Sequence, residues 1–439
     1  MKFVTGASKQ LTVWQDLTGG GLNNRPVTVH GAVHALRDMG GVVFLTLRMA
    51  RGTVQCVCAP DVLPQGLREE CCVELSGAVR AEPRAPGGVE VAVEAVAVLS
   101  RPAAPMPVPL RKQKLGLSLD TGLPLRPAVL RHPRERAVFK LQEGLARAFR
   151  DYLTGEGFTE IHTPKIVRAG AEGGSNIFRL DYFGKKAYLA QSPQFYKQTM
   201  AGVYERVFEI GPVFRAEKHA TPRHLNEYTG LDLEMGYIRS FYDIMEAETG
   251  YLRYAMALLG REYRPELETL GVELPAADNI PCLRFDDAKR LAAEKYGCRI
   301  REPFDLEPEE EIRIGRYVKE EYGSDFVFVT HYPSKKRPFY AMDDPDDLKY
   351  TLSFDLLLRG VEVTTGGQRV HGYAEQVAKM EARGMDPAEF ESYLMIHKHG
   401  MPPHGGLGIG LERLTMQLCG LDNIRYASLF PRDRTRMEP

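Results

Sequence analysis

Apolar and polar residues alternate in five short runs near the start of the chain, at 27–34, 41–48, 53–58, 72–80 and 89–98. A period of two predicts strands with one buried face. Glycine pairs at Gly40–Gly41 and Gly87–Gly88 mark turns between them. Five strands within about 80 residues predict a small closed β-barrel. On this pattern alone Phe44 reads as a core residue.

Beyond Arg134 the period becomes helical. Val138, Leu141, Leu145, Ala148, Phe149 and Tyr152 share one face, and Gly155 and Gly157 end the helix. Residues 158–167 read as a strand that Pro164 confines to an edge or an interface. The stretch 169–176 sets three glycines around Glu172, which makes either a loop able to close or a plain turn. A strand then enters a helix at Ser192-Pro193, with Ser192 as the expected cap. Gln194 and Lys197 lie on one face of its first turns. Between 205 and 234 the alternation is dense. Val207, Glu209, Val213, Arg215 and Glu217 point one way, and Phe208, Ile210 and Phe214 the other. A basic loop from Lys218 to His224 leads to a returning strand, where Leu231 and Leu233 oppose Asp232 and Glu234. The expected product is an antiparallel hairpin with an arginine and carboxylates on one face, which on period alone is a solvated face. Residues 240–345 carry helices and acidic segments. The run Glu307 to Glu311 reads as a solvated helix start without chemistry.

A chain of 439 residues suggests two or three domains. The net charge of −1 excludes bulk electrostatic binding of nucleic acid, so RNA contacts must be local patches. The seven cysteines lack zinc spacing. Their odd number, with no signal peptide, suggests a reducing cytoplasm. No apolar run approaches the roughly 18 residues of a membrane span. Residues 101–135, Pro-rich and then basic, read as an extended linker that either lies along RNA or is a solvated hinge.

Two later stretches suggest chemistry. In 354–369, Glu362 stands among apolar residues and needs a cation or donors. Asp355, seven residues earlier, is placed to share a divalent metal with it. Arg369 follows a glycine turn and can fork onto a small carboxylate. In 405–414 a glycine-rich strand runs into a helix bearing Arg413; no P-loop Lys-Ser/Thr follows.

Phe214-Arg215-Ala216-Glu217 with Arg223-His224-Leu225-Asn226-Glu227, the 134–167 helix and strand, and the form G-x-G-x-x-R ending at Arg413 resemble motifs 2, 1 and 3 of class II aminoacyl-tRNA synthetases. Gln191-Ser-Pro-Gln-x-x-Lys197 makes the chain most similar to the aspartyl group of the archaeal and eukaryotic type. The resemblance covers almost the whole chain. It implies an α+β fold: an OB-fold anticodon-binding barrel at 1–103, a hinge at 104–135, and a class II catalytic domain at 136–439 with an insertion at about 260–345. It implies ATP-dependent ligation of L-aspartate to tRNA, with Mg²⁺, in a cytoplasmic homodimer with no membrane contact.

By the same resemblance, Glu172 would hold the aspartate ammonium, and Gln194, Lys197, Thr365 and Arg369 would read the substrate. Arg215 would bridge substrate carboxylate and α-phosphate. Glu217, Leu225, Tyr228 and Gly410 would contact the adenosine side. Arg223, His224 and Arg413 would grip the outer phosphates, with Arg215 and Arg413 as the catalytic cations. Asp355, Glu362 and Thr365 would hold the metal. Arg37, Phe44 and Gln55 would bind the anticodon, Phe44 stacking on a base. Strictly tRNA(Asp)-specific members typically carry Trp at the position of His34 and Lys at that of Pro86. Their loss here implies tolerance of tRNA(Asn), with an amidotransferase converting the product. The alternatives are a strictly discriminating aspartyl enzyme, an asparaginyl enzyme, an amidating paralogue and a non-catalytic copy.

Overall fold

Five strands close on themselves to form the first unit: β1 (Pro26–Asp38), β2 (Val43–Arg48), β3 (Thr53–Cys58), β4 (Cys72–Ala81) and β5 (Val89–Ser100), in barrel order β1-β2-β3-β5-β4. The computed structural model describes residues 12–168, 176–218 and 221–438. Alternation drives the barrel as expected. Val29, Val33, Leu45, Leu47, Val54, Cys56, Val73, Leu75 and Val91 fill its interior. The same register corrects the core reading of Phe44. Its neighbours Val43 and Leu45 point inward, so Phe44 lies half-buried on the outer surface opposite Arg37. Between Val33 and Ala35 the β1–β2 register shifts, leaving His34 as the extra residue of a bulge.

Residues 104–133 belong to this compact unit, which spans Met1–Pro133. They are not an extended linker. Short helices form at Leu119–Gly122 and Arg126–Val129, and Val129 of the second packs with Val108 and Leu110 in a small core. Ser118 caps the first by accepting from the Thr121 N–H. Apolar residues spaced along a Pro-rich segment were enough to collapse it.

The second unit, Arg134–Pro439, is built on an eight-stranded sheet. Its strand order is Cys282–Arg284, Phe326–Thr330, Ser353–Leu358, Val361–Arg369, His404–Gly410, Glu227–Gly236, Arg206–Phe214 and Thr159–Glu160. The pairing is antiparallel except at the two ends. Helices Pro133–Gly155 and Tyr242–Glu262 cover one face through Leu141, Leu145, Phe149, Leu252 and Leu259, against Phe208, Leu233 and Leu407. The 158–167 stretch splits around Pro164 into Thr159–Glu160, at the sheet edge, and Ile166–Val167. The segment expected as an insertion supplies two strands of the sheet, Cys282–Arg284 and Phe326–Thr330, and so completes it. Among the described residues, no helix is long and apolar enough to cross a membrane.

Candidate active site

The hairpin of Arg206–Phe214 and Glu227–Gly236 buries both of its faces. The solvated-face reading therefore fails. Val207 packs with Ile161, Ala201 and Met401 on one side, and Phe208 joins the main core on the other. Above the sheet lies a cavity of about 520 Å³. Gln194, Lys197, Arg215, Glu217, Arg223, His224, Leu225, Tyr228, Glu362, Thr365, Arg369, Gly410 and Arg413 all line it. These residues come from five helices and strands and the loop after Phe214, and were separated by as much as half the chain.

At one end, charges sit almost dry. Helix Gln194–Tyr204 delivers Lys197, whose Nζ donates to Asp232 Oδ1 at 2.9 Å and to the Leu407 carbonyl at 2.8 Å. Arg369 donates through Nε to Glu234 Oε1 at 3.0 Å and through Nη2 to the Gly406 carbonyl at 2.9 Å. Glu234 is fully buried and lies 3.6 Å from Lys197. Two cations and two carboxylates thus neutralise one another, the condition for burying any of them. Part of the glycine strand exists for this network. Glu234 pairs across from Gly406, where a Cβ would come within 2.1 Å of the Glu234 carboxylate. The helix carrying Gln194 and Lys197 begins without the expected Ser192 cap; Pro193 occupies the cap position. Asp232 and Glu234 were visible in the sequence as strand-face carboxylates, but nothing local named their partners.

At the other end, arginines and carboxylates alternate. Arg413 donates to the Glu362 carbonyl at 2.9 Å and to its carboxylate at 3.3 Å. The Thr365 hydroxyl donates to the same carboxylate oxygen at 3.2 Å. Arg223 pairs with Glu311 at 2.8 Å, and His224 lies 3.5 Å from Glu217. Burial lowers the His224 imidazole, against the pull of Glu217. Glu311 corrects the reading of 307–311. Glu310 and Glu311 are buried, Glu310 against Lys289 at 2.7 Å. Burial and the nearby Glu362 push the Glu311 carboxyl up to about 8, while Arg223 and Arg413 pull it down. Arg215 and Tyr228 line the cavity from the hairpin, and Leu225 packs with Met416 and Ile424. Glu412 was also missed; its carboxylate accepts from the Thr229 N–H at 2.9 Å.

Asp355 is not on the cavity wall. It is buried and ion-paired with Arg337 at 2.8 Å, and that guanidinium lies 3.9 Å from the Tyr332 ring. Burial, with repulsion from Glu362, pushes its carboxyl up to about 6 despite Arg337. Among the described residues, no group of three His, Cys, Asp or Glu side chains has the arrangement of a metal cage. At the arginine-rich end the cavity sets the Glu362 carboxylate beside the Thr365 hydroxyl. That donor set fits a hard cation held mainly by phosphates and water. Glu172 lies outside the described residues.

On the barrel, the Arg37 guanidinium lies 5.6 Å from the Phe44 ring centroid, and Gln55 donates to Glu90 at 3.0 Å. Arg37, Phe44 and Gln55 come from adjacent strands and lie outside the barrel core. The His34 Nδ1 lies 3.2 Å from Arg48, which forms a buried bidentate pair with Glu70. Pro86 is exposed in the turn between β4 and β5.

The model of the family "tRNA synthetases class II (D, K and N)" matches residues 118–434, and that of the "OB-fold nucleic acid binding domain" matches residues 27–99. An aspartate–tRNA(Asp/Asn) ligase of Deinococcus radiodurans is 49% identical over 419 residues, 94% of this chain and 95% of the relative. One of Thermus thermophilus with the same name is 47% identical over 414 residues, 94% of this chain and 96% of the relative. The crystal structure of asparaginyl-tRNA synthetase from Pyrococcus horikoshii complexed with asparaginyl-adenylate superposes with a TM-score of 0.89 at 32% identity, covering 98% of this chain and all of that one.

Proposed function

The chain belongs to the class II tRNA synthetases of the D, K and N group, and from that membership we propose that it ligates L-aspartate to tRNA through an aspartyl adenylate, charging both tRNA(Asp) and tRNA(Asn). One observation carries the choice of substrate. Lys197 and Arg369 line the cavity as buried cations held in place by Asp232 and Glu234, and such donors suit a side-chain carboxylate better than an amide. Gln194 flanks them, Asp232 and Glu172 offer carboxylates to the ammonium, and Thr365 offers its hydroxyl.

The aspartate α-carboxylate attacks the α-phosphorus of ATP, and pyrophosphate leaves. No protein nucleophile takes part. Arg215, on the cavity wall, neutralises the α-phosphate as charge builds on its oxygens. Tyr228 stacks on the adenine, with Glu217, Leu225 and Gly410 around the adenosine. Arg223, His224 and Arg413 take the outer phosphates. Glu362 with Thr365 would hold Mg²⁺ on those phosphates, where the ion supplies charge neutralisation; Asp355 stands behind them and orders Arg337. The cavity holds reactants in line, so its main contribution is positioning. A hydroxyl at the tRNA 3′ end then attacks the carbonyl carbon of the adenylate, forming the aspartyl ester as AMP leaves.

Arg37, Phe44 and Gln55 form the anticodon surface of the barrel. His34 and Pro86 leave it without the bulk and charge that reject the asparagine anticodon. The two relatives named for tRNA(Asp/Asn) support that relaxed reading. An amidotransferase would then take up the aspartyl-tRNA(Asn). The enzyme acts in the cytoplasm as a homodimer formed through the 134–167 helix and strand.

The test is aspartate charging of separate tRNA(Asp) and tRNA(Asn) transcripts, with asparagine as control. Charging of both with aspartate is expected. Charging of tRNA(Asp) alone removes the reading of His34 and Pro86. Activation of asparagine in place of aspartate overturns the assignment of Lys197 and Arg369.

A further inference from the structure

Helix Pro308–Tyr322 starts with Pro308 in its first turn and a reciprocal cap between Glu307 and Glu310. Lys289 fastens that turn by pairing with Glu310, and Ile314 and Val318 bury the next turns in a small core. Gly315 meets the turn at Gly360 so closely that a Cβ on it would come within 2.4 Å of the Gly360 nitrogen. One turn before that contact, Glu311 is brought beside Glu362, two residues past Gly360. Its neighbour Ile312 faces solvent, so the helix aims Glu311 inward.

Glu311 Oε2 lies 2.8 Å from Arg223 Nη1. The carboxylate does not itself line the cavity; Arg223 does. Arg413 approaches the Arg223 carbonyl at 3.5 Å and is held in turn by Glu362. A buried carboxylate is a poor source of stability and is costly unless paired. This one spends its pairing on a side chain of the cavity wall. We propose that Glu311 is a positioning residue for the nucleotide: by accepting the hydrogen bond from Arg223 Nη1 it holds that guanidinium at the cavity wall, ready for the outer phosphates. The proposal rests on the reading of the cavity as an ATP site.

The test combines ATP affinity by calorimetry with steady-state ATP–pyrophosphate exchange. Glu311→Ala is expected to raise Kd and KM for ATP about tenfold, the loss of one charge-assisted bond. At saturating ATP, kcat stays within about twofold, and KM for aspartate does not move. Glu311→Gln keeps an acceptor oxygen and falls between. In an Arg223→Ala background, Glu311→Ala adds nothing. Glu310→Ala, one residue away, lowers Tm without changing ATP affinity. Unchanged Kd and KM in Glu311→Ala or Glu311→Gln would overturn the proposal, as would a full additive effect in the Arg223→Ala background or an equal rise in Glu310→Ala. Calorimetry needs no aspartate. A wild type that binds ATP but activates no aspartate therefore overturns the functional reading while the role of Glu311 is still read from Kd. A wild type that binds no ATP overturns both.

Discussion

Lys197 and Asp232 stand 2.9 Å apart in the floor of the cavity, the lysine 2% and the aspartate 6% exposed. Each makes the burial of the other tolerable. Asp232→Ala leaves the ammonium only the Leu407 carbonyl and the more distant Glu234, which Arg369 already engages, and is expected to cost about 3–5 kcal/mol of stability, with Asp232→Asn milder. Calorimetric unfolding of the two variants checks this; a wild-type Tm in Asp232→Ala would show that Glu234 alone supports Lys197.

Arg215, just past the strand Arg206–Phe214, lines the cavity. On the proposed mechanism its removal takes away a cation that acts as charge develops on the α-phosphate. Arg215→Ala is expected to lower kcat/KM for ATP–pyrophosphate exchange by at least about 3 kcal/mol, a hundredfold or more. Exchange at the wild-type rate would end the assignment of Arg215.

Phe44 is held on the barrel surface beneath Arg37. If a base stacks there, Phe44→Ala should weaken tRNA binding by about 1–3 kcal/mol without unfolding the barrel, whose interior it does not fill. Filter binding and a melting curve separate the two effects. Unchanged affinity would leave Phe44 a passive cover for the strand.

Glu248 is fully buried in helix Tyr242–Glu262. Burial, with Asp355 adding repulsion, pushes its carboxyl up to about 8, against the pull of Thr364. The folded state therefore binds this proton more tightly than the unfolded chain. The resulting stability is complete below the unfolded value near 4.5 and is lost as pH rises to about 8. Glu248→Gln should remove that loss, raising Tm relative to wild type at pH 8.5 and changing it little at pH 4.5. Equal Tm differences at both pH values would show that Glu248 is not the group responsible.

Much was determined by the sequence alone. Period two marked all five barrel strands, and the stretches singled out for chemistry supplied many of the residues that line the cavity, because backbone direction and side-chain face follow from local spacing. Local spacing does not report partners. The pairs Lys197–Asp232, Arg223–Glu311 and Arg369–Glu234 join residues 35, 88 and 135 positions apart. Only the folded sheet and the helices on it decided that Glu311 leaves solvent and that Asp355 turns to Arg337 rather than to the cavity. Whether a charge or an apolar side chain is buried depends on what the rest of the chain brings within a few ångströms of it. For these residues the partners come from distant segments, which only tertiary packing brings together.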